Sequence, residues 1–287
     1  MVDNHTMNSS QIAAVVVTYQ SASTIEQCLR CLLAAEAVSE IRVVDNNSSD
    51  DTVAIVQKLA IHDSRIHFIA NPDNPGFATA NNQGVADSNA PWLVFINPDL
   101  MVKPDTLVRL QQRAQQFAEG ALLGVEQLDQ QGQADPAVRR RDPDFAAMLR
   151  SPRQGAQLAL PRDPQQNLQV VPAISGALML MPRELFARVG GWDGDYRLHA
   201  EDLDLCRRVR QAGATVAVAN DLSVLHLRGV SSRSRPFFVE WHKHRGLWRY
   251  FRKFEWSSRG PLVRAGVWLA IWAHALALVP RLWKQSR

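Results

Sequence analysis

The feature that most constrains the fold of this chain is an alternation in its first 125 residues. Short, β-rich apolar runs recur at IAAVVVT (12–18), IRVVD (41–45), RIHFI (65–69), WLVFI (92–96) and ALLGV (121–125). Between them STIEQCLRCLLAA, SSDDTVAIVQKLA, GFATANNQGVADS and KPDTLVRLQQRAQQF have helical spacing, with capping residues such as Ser48, Ser49 and Asp105 near their starts. Strands that are apolar along their whole length are buried on both faces, and the intervening helices supply the covers. The pattern therefore predicts an α/β domain around a parallel sheet. At 287 residues the chain is near the size at which a single core stops growing, so one large domain with an appendage is expected.

Sheets of this kind bind ligands at the carboxyl ends of their strands. There the sequence turns polar each time: Thr18-Tyr19, Asp45-Asn46-Asn47, Asn71-Pro72-Asp73-Asn74 and Asn97-Pro98-Asp99. Any one of these is an ordinary turn. Four at one sheet edge indicate a site. Neither a GxGxxG nor a Walker sequence follows the first strand, so a nucleotide held here needs another means of neutralising its phosphates. A divalent metal on Asp99 would supply it.

Cys28, Cys31 and Cys206 lie in helical-looking segments, and the CxxC formed by the first two lacks the second ligand pair of a zinc site. They read as reduced, buried thiols, which suits a cytoplasmic protein. Residues 1–11 are polar, lack an apolar core, and read as a disordered lead-in and not as a signal peptide.

The runs VVVTYQSASTIEQCLRCL, IRVVDNNSSDDT, NPGFATANNQG and WLVFINPD together resemble the nucleotide-sugar half of glycosyltransferase family 2, with the GT-A fold. The rhamnosyltransferase-like branch is especially similar. The second half continues the resemblance in order with SGALMLMPRELFARVGGWDGDY, HAEDLDLCRRVRQAG and SVLHLRGVSS, so that it covers roughly residues 12–232. It implies a nucleotide-sugar-binding half over 12–126 and an acceptor-binding, catalytic half of the same domain over 127–232.

What the resemblance implies for single residues is specific. Asp99 matches the position that holds Mg²⁺ or Mn²⁺ on the donor diphosphate, while Asn97 stands where the family's first carboxylate lies, leaving one anionic ligand fewer. Asp202 matches the base that removes the acceptor proton, and Glu201 its orienting neighbour. Read from the residues alone, the pair opens an amphipathic helix, where a helix dipole also favours carboxylates. Asp204 reads as a solvated or structural acid. His226 matches a metal-ligating histidine, although in SVLHL a core histidine is the reading from the residues alone. Thr18, Tyr19 and Asp45 match residues that hold base and ribose, with Asp45 able to accept the imide N–H of uracil or thymine. Asn74, Gly76 and Phe77, with Asn81 a turn further along the helix, are expected to line the nucleotide pocket. Trp192 sits where the family keeps an aromatic near the sugar, and a packed tryptophan is the competing reading. His199 departs from the aromatic commonly found there.

The resemblance therefore implies an inverting, metal-dependent transferase. It would move L-rhamnose from its dTDP donor to a lipid-linked saccharide acceptor in bacterial surface polysaccharide assembly. A UDP-sugar enzyme of the same fold and a non-catalytic nucleotide-sugar-binding scaffold are the alternatives.

Two regions stand apart. Residues 126–171 lose periodicity and read as loops or a flap, with the Arg139, Arg140 and Arg141 run a solvated face. From Arg228 onward thirteen Lys and Arg face only Glu240 and Glu255, a local net of +11. Residues 233–287 thus read as a basic amphipathic helical tail. Its apolar stretch of about sixteen residues, interrupted by His274, is shorter than the roughly 20 needed to span a bilayer. A Trp-rich, basic tail suits the interface of an anionic membrane, placing the protein peripherally on its cytoplasmic side. Packing in a homodimer is the alternative. Nucleic acid is not expected as a partner, because no nucleic-acid module accompanies the basic residues.

Overall fold

The computed structural model describes residues 11–150, 157–227 and 236–285. The expected lead-in, except Gln11, and the matching RGVSS segment lie outside the described residues. The first half follows from the apolar runs: β1 (Ile12–Thr18) pairs in parallel with β2 (Val38–Asp45) and β4 (Trp92–Ile96), and β2 pairs with β3 (Ile66–Ala70). Every residue of β1 and β4 is buried, as their unbroken apolar character requires. Helices α1 (Ile25–Leu33), α2 (Thr52–His62), α3 (Phe77–Ala86) and α4 (Thr106–Ala114) fill the expected intervals.

Beyond β4 the sheet changes sense. Strand β10 (Leu178–Pro182) inserts antiparallel between β4 and β6 (Ala121–Leu128), and β11 (Thr215–His226) lies parallel to β6. The order is β3-β2-β1-β4-β10-β6-β11-β5, with β5 (Leu100–Met101) at its end; β8 (Leu168–Val170) also pairs with β11. A small second sheet joins β7 (Arg139–Arg140) to β9 (Ala173–Ile174), so the region expected to be loops contributes strands as well. The short α5 (Phe145–Arg150) follows β7, and α6 (Arg183–Arg188) and α7 (Glu201–Gln211) flank the second half. The pairing of β11 with β5 decides the site: His226 stands opposite Leu100, and the Leu227 N–H donates to the Asp99 carbonyl.

The C-terminal segment is helical, as α8 (Pro236–Phe254) and α9 (Pro261–Gln285), but α8 is not a separate appendage. Its Tyr250 and Phe251 are fully buried in the core with Phe145, Leu203 and Cys206. Arg249 and Lys253 pair with Asp193, and Glu255, just past the helix, receives Arg207. Helix α9 behaves differently. It touches α8 through Trp241 and Trp272, ring centroids 5.0 Å apart, yet leaves Leu269 and Leu276 more than half exposed. The sequence count of its apolar stretch was too short, because the helix continues past the central run on both sides. Over Pro261–Trp283 it is long and apolar enough to cross a membrane by length and composition.

If α8 belongs to the core, Phe251→Ala should lower the unfolding free energy by about 3–5 kcal/mol, the usual effect of removing a buried aromatic ring. Denaturant unfolding measures it, and a loss below about 1 kcal/mol would show that α8 is only loosely docked.

Candidate active site

The polar strand ends converge. Tyr19 after β1, Asn46 after β2, and Asn97, Pro98 and Asp99 after β4 line a cleft of about 280 Å³. Its other wall comes from Asn74, Gly76 and Phe77 and from the Arg197–His199 segment. Gly76 has φ +100°, and a Cβ there would lie 2.7 Å from the Arg197 carbonyl oxygen. Only glycine fits both the backbone conformation and the contact. The Asn74 side chain accepts from the Gly76 N–H at 3.0 Å and its carbonyl from Arg197 at 2.8 Å, so the two halves of the chain meet on this turn.

The expected donor residues divide into two groups. Tyr19, Asn74, Gly76, Phe77 and Asn97 are at the cleft, and Thr18 reaches it from a buried position. Asp45 is 1% exposed and is held by Thr18 Oγ1 at 2.8 Å and by the N–H and hydroxyl of Ser48. It shapes the turn that presents Asn46. Asn81 and Trp192 depart from expectation, because both are buried away from the cleft wall. Asn81 Nδ2 donates back to the Phe77 carbonyl. Trp192, 2% exposed, packs edge-on against Phe77 and Phe95 at 5.5 and 5.2 Å. It supports Phe77 from behind and does not offer a sugar platform.

At one end of the cleft His226 Nε2 lies 3.4 Å from Asp99 Oδ2. The other ring nitrogen of His226 is buried without a hydrogen-bond partner. A carboxylate and an imidazole in contact fit a divalent ion such as Mg²⁺ or Mn²⁺, whose remaining positions fall to phosphate oxygens and water. Among the described residues no group of three His, Cys, Asp or Glu forms a complete protein cage.

Glu201 and Asp202 open α7 after two residues in left-handed conformation, His199 at φ 67° and Ala200 at φ 69°. Helix α8 holds this turn from outside: a Cβ on Gly246 would lie 2.6 Å from the His199 carbonyl oxygen. Burial opposes charge on both carboxyls, and the outcome differs between them. Burial and the neighbouring Asp202 charge raise the Glu201 pKa to about 8, which favours the protonated carboxyl. Burial also pushes Asp202 upward, but the Arg140 charge and hydrogen bonds from Arg140, the Gly176 N–H at 3.0 Å and the Leu203 N–H outweigh it. Its pKa falls below the ordinary carboxylate value. The linkage signs are opposite: Asp202 stabilises the fold above its unfolded pKa and loses this as pH falls, whereas Glu201 loses its contribution as pH rises.

Asp202, Glu201 and His199 also line a second cavity of about 280 Å³ beneath α8 and α9. His199 borders both this cavity and the cleft, and burial lowers its pKa, favouring the neutral ring. Arg140 is thus a residue that the sequence reading set aside: in place of a solvated run, Arg139 is buried on Glu126 and Asn220, and Arg140 faces Asp202. Its signal was faint, an arginine run in a region without periodicity. Asp204 is structural, fully buried and paired with Arg208 and Lys253.

A central, mostly parallel sheet with a polar cleft at its carboxyl edge has the architecture of the GT-A fold. The chain belongs to glycosyl transferase family 2, which residues 13–190 match. It is 28% identical over 289 residues to the N-acetylglucosaminyl-diphospho-decaprenol L-rhamnosyltransferase of Mycobacterium tuberculosis, covering 88% of this chain and 90% of that protein. Over 119 residues it is 39% identical to the succinoglycan biosynthesis protein ExoO of Rhizobium meliloti, covering 41% of this chain and 33% of that one. Among solved structures it resembles the Pyrobaculum calidifontis mannosyltransferase in complex with GDP-Man and Mn²⁺. The TM-score is 0.56 at 20% identity, over 94% of this chain and 79% of that chain. It also resembles GalNAc-T7 with UDP, GalNAc and Mn²⁺, with TM-score 0.66 and 14% identity over 84% of this chain and about half, 47%, of that one. These structural likenesses carry the fold.

If Arg140 sets the charge of Asp202, Arg140→Met should raise the Asp202 pKa by roughly 1–3 pH units, the usual effect of losing an opposite charge in contact. Carbon-detected NMR titration of the side-chain carboxyls reads this directly. An unmoved Asp202 would show that the backbone N–H groups hold the charge unaided.

Proposed function

We propose that this family 2 glycosyltransferase transfers L-rhamnose, with inversion, from a dTDP donor to a lipid-linked saccharide acceptor in bacterial surface polysaccharide synthesis. The observation that carries the reading is Asp202. Its pKa is lowered within a buried acid pair by Arg140 and backbone N–H groups, and it lines a cavity that shares the residue His199 with the polar cleft. The kind of sugar and the lipid-linked acceptor are supported by the name of the Mycobacterium tuberculosis relative.

In this reading the nucleotide lies in the cleft between Tyr19, Asn46 and the Asn74–Phe77 turn, and the acceptor enters from the cavity under α8. Asp202 takes the proton of the attacking hydroxyl on the face opposite the leaving nucleoside diphosphate. A low pKa keeps the base ionised at neutral pH. The raised pKa of Glu201 disfavours a second negative charge beside it. Mg²⁺ or Mn²⁺ held by Asp99 and His226 would neutralise charge that develops on the leaving diphosphate.

Asp202→Asn keeps the shape and removes the proton acceptor. It should lower transfer by about 10²–10⁴-fold while donor affinity in calorimetry stays near wild type. Turnover retained in this variant would remove the role. A panel of dTDP- and UDP-sugars in the same assay identifies the donor, and absence of transfer from all of them with binding intact would favour a scaffold protein. Asp99→Ala and His226→Ala should each weaken donor binding more in the presence of Mn²⁺ than in EDTA. A His226→Ala protein with lower Tm but unchanged metal dependence would make His226 a packing residue.

We also propose that the C-terminal helices rest on the cytoplasmic face of an anionic membrane. Trp268, Leu269 and Leu276 on α9 are exposed, and Lys243, Arg245 and Arg252 on α8 are exposed cations. Apolar burial and attraction of about 1 kcal/mol per basic residue act together at such a surface. The full chain should sediment with vesicles containing anionic lipid and be partly released at 1 M salt, where the screening length falls to about 3 Å. Leu269→Ser with Leu276→Ser should remove the salt-resistant part. A chain that ignores such vesicles and forms a dimer with α9 protected from hydrogen exchange would overturn the assignment.

A further inference from the structure

Helix α8 meets α9 through Trp241 and His244 and the core through Phe251, and a further flank of it faces elsewhere. On that flank His242, Arg245, Arg249 and Arg252 recur at intervals of three and four residues, so they share one face of the helix. This face is one wall of a groove of about 790 Å³, and the other wall is made by residues 194–197 with Pro75. The groove shares no lining residue with the cavity beside Asp202, and with the polar cleft it shares Arg197.

The charges in the groove do not balance. Arg197, Arg245, Arg249, Arg252 and Lys253 line it against Asp195. Two of these cations are matched by acids: Arg249 meets Asp193 at 2.9 Å and Asp195 at 2.6 Å, and Lys253 meets Asp193 and Asp204, each at 2.7 Å. The other three have no acid partner among the described residues. Arg197 donates to the Asn74 carbonyl at 2.8 Å, and its guanidinium lies over the Phe238 ring. Arg245 and Arg252 are exposed and make no hydrogen bond or ion pair with any described residue. His242 registers the resulting field. It is buried, its ring packs on Phe238 at 4.3 Å, and it makes no hydrogen bond to a described residue. Burial lowers its pKa, and the charges of Arg197 and Arg245 lower it further.

We infer that this groove binds a phosphate-bearing anion, held by Arg245 and Arg252 from α8 and by Arg197 from the facing wall. Guanidinium forks match pairs of phosphate oxygens, and three of them without acid partners favour a group with full negative charge. Arg245 and Arg252 stand two turns apart, about 10 Å along the axis, so they bracket a ligand of headgroup size. A phosphoglyceride headgroup and a soluble phosphate ester both carry this chemistry. Either occupies a discrete seat, which a diffuse attraction of α8 to a charged surface does not require.

The probes are dihexanoyl phosphatidylglycerol and glycerol 3-phosphate, with net-neutral dihexanoyl phosphatidylcholine beside them, titrated calorimetrically into the full-length chain below the concentration at which the lipids aggregate. At least one of the two anions should bind about tenfold or more tightly than the choline lipid. Arg245→Ala and Arg252→Ala should each weaken that binding about tenfold, the loss of a charge-assisted hydrogen bond, at unchanged Tm. Arg281→Ala removes the same charge from an exposed position on α9 outside the groove and should leave the affinity as it was. Tighter binding of the glycerol lipid than of glycerol 3-phosphate assigns the seat to a headgroup, and equal binding assigns it to the phosphate ester alone. Anion binding no tighter than that of the choline lipid, binding insensitive to Arg245→Ala and Arg252→Ala, or an equal loss in Arg281→Ala overturns the inference.

Discussion

The arrangement around Asp202 depends on one constraint: two adjacent carboxyls cannot both be charged in a buried place. The chain resolves this by unequal surroundings. Arg140 and the Gly176 N–H turn toward Asp202, and among the described residues no side-chain donor reaches Glu201, whose pKa burial raises. Much of the second half serves this asymmetry. Strand β7 carries Arg140, its partner β9 leads to Gly176, and the Arg140 guanidinium also donates to the Ile174 carbonyl that ends β9.

The same constraint explains why α8 belongs to the catalytic domain. The acid pair follows two left-handed residues that are not glycine, a conformation that needs support from its neighbours. Support comes from the close approach of α8 at Gly246, and α8 is fixed by Phe251 in the core and by Arg249 and Lys253 on Asp193. Its first turns also reach the cleft, since Phe238 and Val239 line the nucleotide side while Lys243 and His244 line the other cavity. Removing this helix would therefore open both sides of the site.

Legibility in the sequence followed burial. Strands β1 and β4 lie at the residues their apolar runs predicted, because strands covered on both faces carry a continuous signal. The antiparallel β10 gave no comparable sign of its direction, which comes from tertiary pairing between β4 and β6. The strand-end residues were legible as a group, since a parallel sheet sends its carboxyl edges to one side. What lay beyond them depended on side-chain direction: Asn81 follows Phe77 by one turn yet points into the core, and Trp192 fills the space behind Phe77. Arg140 was illegible for a different reason. Its partner Asp202 is 62 residues away, and local charge alone cannot distinguish a solvated arginine from one aimed at a buried acid.

The position of α9 gives the site its geometry with respect to a surface. In the proposed reaction the hydroxyl that gives its proton to Asp202 must reach a buried carboxylate, while an acceptor with a long apolar tail would not leave its membrane without exposing that tail to water. Both demands would be met if the cavity that Asp202 lines lay beside an apolar surface. Here Ile271 lines the cavity from one side of α9, and Leu269 and Leu276 project from the same helix into the surroundings. Helix α8 stands between, with its buried Phe251 in the catalytic core and its exposed Trp241 against Trp272 of α9. The pair of helices thus sets an exposed apolar face beside the polar cleft without requiring the central sheet itself to be apolar on its outside.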